Sequence, residues 1–185
     1  MTRTLYYTAT TLDGYLADEH DSLHWLFKQE MDKDGALSYD AFIAGIGAIC
    51  MGSTTYEWIL DHERGRWTYS QPTWVFTHRT LAEVEGDVRF VQGDVRPVHA
   101  EMVAAADGKD LWVVGGGDLA AQFATAGLLD QLLVSIAPVT LGGGRPLFPR
   151  PFDLRLVDLA RNGAFACATY DVVGQLAPAV PQSEA

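Results

Sequence analysis

The chain predicts an α/β fold with three layers, built on a central mixed, mainly parallel sheet that ends in an antiparallel C-terminal hairpin. Three observations carry that prediction. Leu111-Trp112-Val113-Val114 is a run of large apolar residues, the pattern of a strand buried on both faces inside a parallel sheet. Gly115-Gly116-Gly117 follows at once, then helix-forming residues with apolar positions at Leu119, Phe123 and Ala126. Near the end, Asn162-Gly163 joins two β-rich runs, Leu154 to Ala160 and Phe165 to Val173, as a hairpin turn does.

The other elements follow in order. Arg3 to Thr10 is β-rich and reads as an inner strand. Asp13-Gly14 marks a turn in the stretch Thr11 to Ala17. Leu23 to Phe27 begins a helix, and Ser38 to Ile46 continues helically. Trp25 on the first of these is either a core residue or a pocket wall. Ala48-Ile49-Cys50-Met51 is a second buried strand, ending at Gly52-Ser53-Thr54-Thr55 and a helix. Ser53 has two readings, a helix cap or a hydroxyl donor to a phosphate. Thr73 to Phe76 is a third strand, closing on Thr77-His78-Arg79. Those two cations either meet a ligand at the strand's C-terminal end or are simply solvated. Val88 to Val91 is a fourth strand, Pro97 to Ala106 a helix, and Leu132 to Pro138 the strand after the triplet helix. Gly142-Gly143-Gly144 precedes no helix and reads as a loop rather than a second phosphate cradle.

With 185 residues the chain is one domain, taken as 1–176 with a disordered tail over 177–185. A formal net charge of −11 argues against nucleic acid as a partner, since no cationic excess is present to displace counterions. No apolar run reaches membrane length. Cys50 and Cys167 are isolated in apolar surroundings and read as reduced, buried thiols, which with the lack of a leader-like N-terminus predicts a cytoplasmic protein. The five histidines are scattered and no metal-ligand spacing occurs, so no metal is expected. Gly-x-Ser-x-Gly and Walker-type lysine motifs are also missing from the sequence.

What the residues do offer is backbone for an anion. Three glycines ahead of a helix let a ligand approach the first free N–H groups, an arrangement that favours phosphate or pyrophosphate over a bare helix entry. Gly115, Gly117 and Ala120 also fit a dinucleotide fingerprint, but the next strand, Gln131 to Ala137, ends without the acid that fingerprint needs about 20 residues on. A Rossmann assignment is therefore rejected.

Four segments in this order resemble the dihydrofolate reductase-like fold, and most closely the branch related to the reductase (RibD C-terminal) domain of riboflavin biosynthesis. They are Thr11 to Ala17, Cys50 to Glu57, Trp112 to Gly117, and Asp130 to Pro149 with its Gly142-Gly143-Gly144-Arg145-Pro146-Leu147-Phe148; the resemblance spans about Thr4 to Val173. It implies an NADPH-dependent oxidoreductase that passes a hydride to a small pyrimidine- or pterin-like substrate, as 5-amino-6-(5-phosphoribosylamino)uracil reductase does. It places Gly52, Ser53, Thr54 and Thr55 beside the pyrophosphate, Thr77, His78 and Arg79 at the adenosine 2′-phosphate, and Gly115, Gly116, Gly117, Asp118 and Leu119 at the pyrophosphate and nicotinamide. It further implies a cis peptide between the first two glycines of the triplet, Ala9 and Leu16 near the nicotinamide ring, and Trp25, Tyr56, Ser135 and Arg145 on the substrate side. Asp13 becomes the expected catalytic acid or polar orienter, with a plain turn aspartate as its alternative. A homodimer is implied as well. Two departures stand out. Ser53 occupies a position often held by arginine in this branch, so NADH stays open beside NADPH, with Arg79 as the nearest replacement. None of Glu30, Asp32, Asp34 and Asp40 has surroundings apolar enough to serve as a buried folate-type proton donor. A non-catalytic nucleotide-binding module of the same fold is the alternative function.

Overall fold

A computed structural model describes residues 1–177, so most of the tail expected over 177–185 lies outside the described residues. Its organising feature is a set of strands whose neighbours along the chain point to opposite faces. In β1 (Thr4–Thr11) Leu5 and Tyr6 are both buried, in β3 (Ile46–Gly52) Ile49 and Cys50, and in β6 (Asp110–Gly115) Trp112 and Val113. Each pair sends one side chain to each side of the sheet, so the strands need covering on both faces.

Two helical layers provide that covering. α4 (Val95–Ala105) and α5 (Gly117–Thr125) bring Val98, Met102, Ala120 and Phe123 onto Tyr6, Cys50, Trp74 and Val113. α3 (Ser53–His62), with the short α2 (Tyr39–Ala44), brings Tyr56, Ile59 and Phe42 onto Leu5, Ile49, Met51 and Trp112. Burying a side chain of that size contributes roughly 1.5–3 kcal/mol each, so the two apolar layers fix which strand faces which helix.

The strand order is β5-β4-β3-β6-β1-β7-β10-β9. β4 (Thr73–Phe76), β5 (Val88–Val91) and β7 (Gln131–Ala137) join β1, β3 and β6 in parallel register. β9 (Phe152–Asn162) and β10 (Phe165–Gln175) close the sheet antiparallel, with Gly163 at φ 57 in the turn. The α/β, three-layer, mainly parallel fold with a closing hairpin is as the sequence predicts.

Three local differences have clear causes. The helix expected through Ile46 ends at Ala44, because Gly45 caps it and Ile46 is already buried in β3. β2 (Tyr15–Ala17) and β8 (Arg145–Pro146) form a small separate ladder within stretches read as loop. Elements of two or three residues leave no periodic trace in a sequence. The peptide bonds are trans among the described residues, so the cis bond expected between Gly115 and Gly116 is not found.

Candidate functional site

Two glycine turns meet at the C-terminal ends of the central strands. β3 ends at Gly52, the N-cap of α3, and β6 ends at Gly115, one residue before Gly116, the N-cap of α5. The strands are neighbours, with Met51 paired to Gly115. The turns touch: a Cβ built on Gly115 would lie 3.0 Å from Thr55 Oγ1. Neither helix start carries a side-chain cap, so their first N–H groups are left for solvent or a ligand.

Both turns open into a cavity of about 550 Å³. Thr54, Thr55 and Trp58 of α3 line it beside Gly115 to Asp118. Thr8 and Ala9 of β1 and Val114 of β6 form the floor. Leu16 and Ala17 of β2, with Arg145 and Pro146 of β8, close one side, and Leu23 and Leu26 line the far end. Gly117 is required there because a Cβ would run into the carbonyl oxygens of Pro146 and Leu147, the second at 2.5 Å. Gly116 differs: its φ of −50° and ψ of 158° suit any residue, and nothing stands within 4 Å of a Cβ. Its missing side chain leaves the cavity open over the α5 N-terminus.

Of the cofactor residues read from the sequence, the structure gathers Ala9, Leu16, Thr54, Thr55, Gly115, Gly116, Gly117 and Asp118 on this lining. Leu119 points instead into the core at 6% exposure. Gly52 and Ser53 sit just outside the lining, and Ser53 is the first residue of α3 rather than its cap. Thr77, His78 and Arg79 follow β4, next to β3, and lie beyond the cavity rim. Arg79 is already held by both oxygens of Glu57, at 3.2 and 2.6 Å, and His78 Nδ1 lies 3.2 Å from Gln92 Oε1.

Of the substrate-side and catalytic candidates, the structure brings Arg145 alone onto the lining. Tyr56 is fully buried and its hydroxyl donates to the Ala82 carbonyl, so α3 turns it into the core. Its helix neighbour Trp58, which the sequence reading passed over, reaches the cavity instead. Spacing held that signal, since Trp58 lies three and four residues after Thr55 and Thr54 on one helix face. Trp25 is buried among Ala137, Phe165 and Cys167 with no acceptor for its indole N–H, and Leu23 and Leu26 line the cavity in its place. Ser135 pairs with Ala9 in register, yet its hydroxyl lies 3.7 Å from Cys167 Sγ, off the lining. Arg145 does line the cavity; its Nε and Nη2 donate to the two oxygens of Asp21 at 2.6 and 3.0 Å.

Asp13 is exposed and off the lining. Its carboxylate accepts from the Thr11 hydroxyl at 2.6 Å, from Gly142 N at 2.7 Å and from Leu141 N at 3.0 Å. These donors, the Thr11 hydroxyl foremost, hold its carboxyl below the usual range. Through these contacts the Asp13 carboxylate fastens the loop after β7. A carboxyl whose folded pKa is depressed stabilises the fold above the unfolded pKa, near about 4, and loses that contribution as pH falls through the lower folded value. The melting-temperature difference between wild type and Asp13→Asn should therefore be present at pH 7 and shrink below about pH 4; a difference constant down to pH 2.5 rules this role out.

Charge near the cavity is sparse. Asp118 accepts from Gln122 at 2.7 Å and lies 3.5 Å from Arg150. Among the described residues Arg145 is the only cation on the lining, and no group of three or more His, Cys, Asp or Glu residues is placed to hold a metal. No described helix is long and apolar enough to cross a membrane.

Comparison with known proteins gives this geometry a family. The uncharacterized protein YyaP of Bacillus subtilis (strain 168) is 30% identical over 151 residues, 76% of this chain and 77% of its own. A crystal structure of a putative riboflavin biosynthesis protein from Shewanella sp. PV-4 superposes with a TM-score of 0.79 at 24% identity, over 92% of this chain and 99% of that one. Dihydrofolate reductase from Enterococcus faecalis, solved with NADP(H), shares the fold at a TM-score of 0.56 and 15% identity, over 92% and 96% of the two chains. These two likenesses establish the dihydrofolate reductase-like fold. The family profile described as the RibD C-terminal domain matches residues 4–167, and the chain belongs to that family.

Proposed function

We propose that the protein is an NADPH-dependent reductase of a small heterocycle. One observation carries the reading: two uncapped helix N-termini, those of α3 and α5, open side by side into one cavity. Their partial positive charges and free N–H groups suit the two phosphates of a dinucleotide. Gly116 leaves room for the diphosphate to reach them.

The direction of the dinucleotide follows from the walls. The lining that includes Ala9, Leu16, Leu26 and Pro146 is apolar, which suits the nicotinamide. The adenosine half then runs outward over the ends of β3 and β4, toward Glu57 and Arg79. A reduced nicotinamide supplies a hydride, two electrons and one proton moving together. The chain's own work is to align the ring against the substrate and to keep water away, through Ala9, Leu16, Val114 and Trp58. Among the described residues both lining carboxylates have partners, Asp21 in Arg145 and Asp118 in Gln122, and neither is assigned as the acid. That same observation favours the second reading, a nucleotide-binding module without catalysis.

The two separate in one experiment. NADPH should raise the melting temperature under both, and only the reductase oxidises NADPH when a pyrimidine or pterin is added. Absence of any thermal shift with millimolar NADPH or NADH defeats both. Cofactor choice rests on Arg79, whose pair with Glu57 is exposed on both sides and can give way to a phosphate: its replacement by alanine should weaken NADPH about tenfold, the loss of one charge-assisted phosphate contact, and leave NADH unchanged. Equal losses for the two cofactors would put the 2′-phosphate elsewhere.

We also propose pairing with a second copy through β9, an edge strand that exposes Leu156, Val157 and Leu159 beyond half of their surface. The setting proposed is the cytoplasm, which suits free, buried Cys50 and Cys167.

A further inference from the structure

The apolar part of the cavity lining includes Leu16, Leu23, Leu26 and Trp58. Trp58 is set in place by stacking on His62 at 4.7 Å between ring centres, with Phe27 against both rings. That surface offers aliphatic and aromatic contact and little hydrogen bonding. With both helix N-termini given to the cofactor, a substrate phosphate is left with side-chain cations, and among the described residues Arg145 is the only one on the lining.

Arg145 is not free for that task. Its guanidinium lies in a two-pronged contact with Asp21, whose backbone holds φ at 61°, an uncommon value for a residue with a side chain. The backbones on both sides are close-packed. Arg145 pairs with Ala17 in the β2–β8 ladder, and a Cβ on Gly144 would strike the Ala17 carbonyl. The contact itself is solvent-exposed and of small energy, so attraction alone does not keep an anion out. The local sum of charge does. The same turn carries Asp18 and Glu19, and Glu19 Oε1 would lie 3.4 Å from a Cβ on Gly143. On the lining itself one guanidinium stands against two carboxylates, Asp21 and Asp118, in a chain of net charge −11. A dianionic phosphate brought there meets a negative field.

We infer that the acceptor end of this cavity takes an uncharged, phosphate-free planar heterocycle, and that the Asp21–Arg145 pair excludes phosphorylated ones. The inference names the substrate class of the reductase proposed above and rests on that reading for the word substrate, but its test is a binding measurement. Riboflavin and riboflavin 5′-phosphate form a matched pair of probes, since they differ only by the phosphate. Quenching of flavin fluorescence by added protein gives both dissociation constants without turnover, at low ionic strength and at 0.5 M salt.

Riboflavin should bind at least fivefold tighter than its phosphate at low salt. Salt should narrow the gap by screening. Asp21→Asn should narrow it at least fivefold at low salt, chiefly through tighter binding of the phosphate. A wild-type preference for the phosphate, an unchanged ratio in Asp21→Asn, or quenching by neither flavin overturns the inference. Failure of the reductase reading shows separately, as a missing NADPH thermal shift, while the flavin ratio still reports on this wall.

Discussion

A Gly116→Val protein should fold, melt close to wild type and lose NADPH. The backbone at Gly116 has φ −50° and ψ 158°, which valine adopts without strain, and no atom lies within 4 Å of the new Cβ. Valine is a poorer N-cap than glycine, and the cost is about 1 kcal/mol at most. That corresponds to roughly 2–4 °C for a chain of this size. The two added methyl groups, however, stand in the cavity over the first N–H groups of α5. A diphosphate can no longer approach them, and the expected loss of NADPH affinity is at least a hundredfold, close to 3 kcal/mol. The check is the rise in melting temperature with 1 mM NADPH, large in wild type and gone in the variant. A variant that still answers to NADPH like wild type removes the glycine turn from the cofactor site, and with it the reductase proposal.

Its neighbour should behave in the opposite way. Gly117→Ala puts a Cβ onto the Pro146 carbonyl oxygen and within 2.5 Å of that of Leu147. Both partners are backbone, which cannot swing aside as a long side chain can. Either the segment from Arg145 to Pro149 lifts from α5 or α5 shifts on the sheet, where Ala120, Ala121 and Phe123 are fully buried. Overpacking of this kind costs about 3 kcal/mol, near 10 °C in melting temperature. Cofactor binding falls with it, because the displaced segment carries the Arg145 and Pro146 part of the lining. Thermal melts and urea titrations with and without NADPH measure both effects. A Gly117→Ala protein as stable as wild type would mean that the contact between α5 and Pro146 is looser than described.

Adjacent glycines with contrasting roles also show what the sequence made legible. The strand–glycine–helix sequences at Gly52 and Gly115 identify both turns, because a strand buried on both faces reads as an apolar run and a helix start near a ligand must lack side chains. That the two turns face one cavity follows only from the β3–β6 pairing, which joins residues some sixty positions apart. Substrate-side residues were harder for a related reason. Tyr56 and Trp58 are both aromatic and two positions apart on one helix, and which one faces the core depends on where Trp67 and Phe90 lie. Asp13 became a catalytic candidate because the resemblance sets its Asp-Gly turn over the nicotinamide. Its partners, the amides of Leu141 and Gly142, are distant in the chain and carry no side-chain signal. Arg145 was found, but its pairing with Asp21 depends on a left-handed backbone at Asp21 that no motif announces.

The small β2–β8 ladder has a consequence for how a ligand gets in. Only Tyr15 with Pro146 and Ala17 with Arg145 are bridged there, whereas the strands beneath belong to an eight-stranded sheet. Opening free energies follow the amount of structure that must part at once, so this flap can unzip while the floor of the cavity stays shut. Its amides should trade hydrogen for deuterium well ahead of those in β1 and β6. An occupant that seals the flap should slow that exchange, making the backbone around Leu16 and Ala17 a built-in gauge of occupancy.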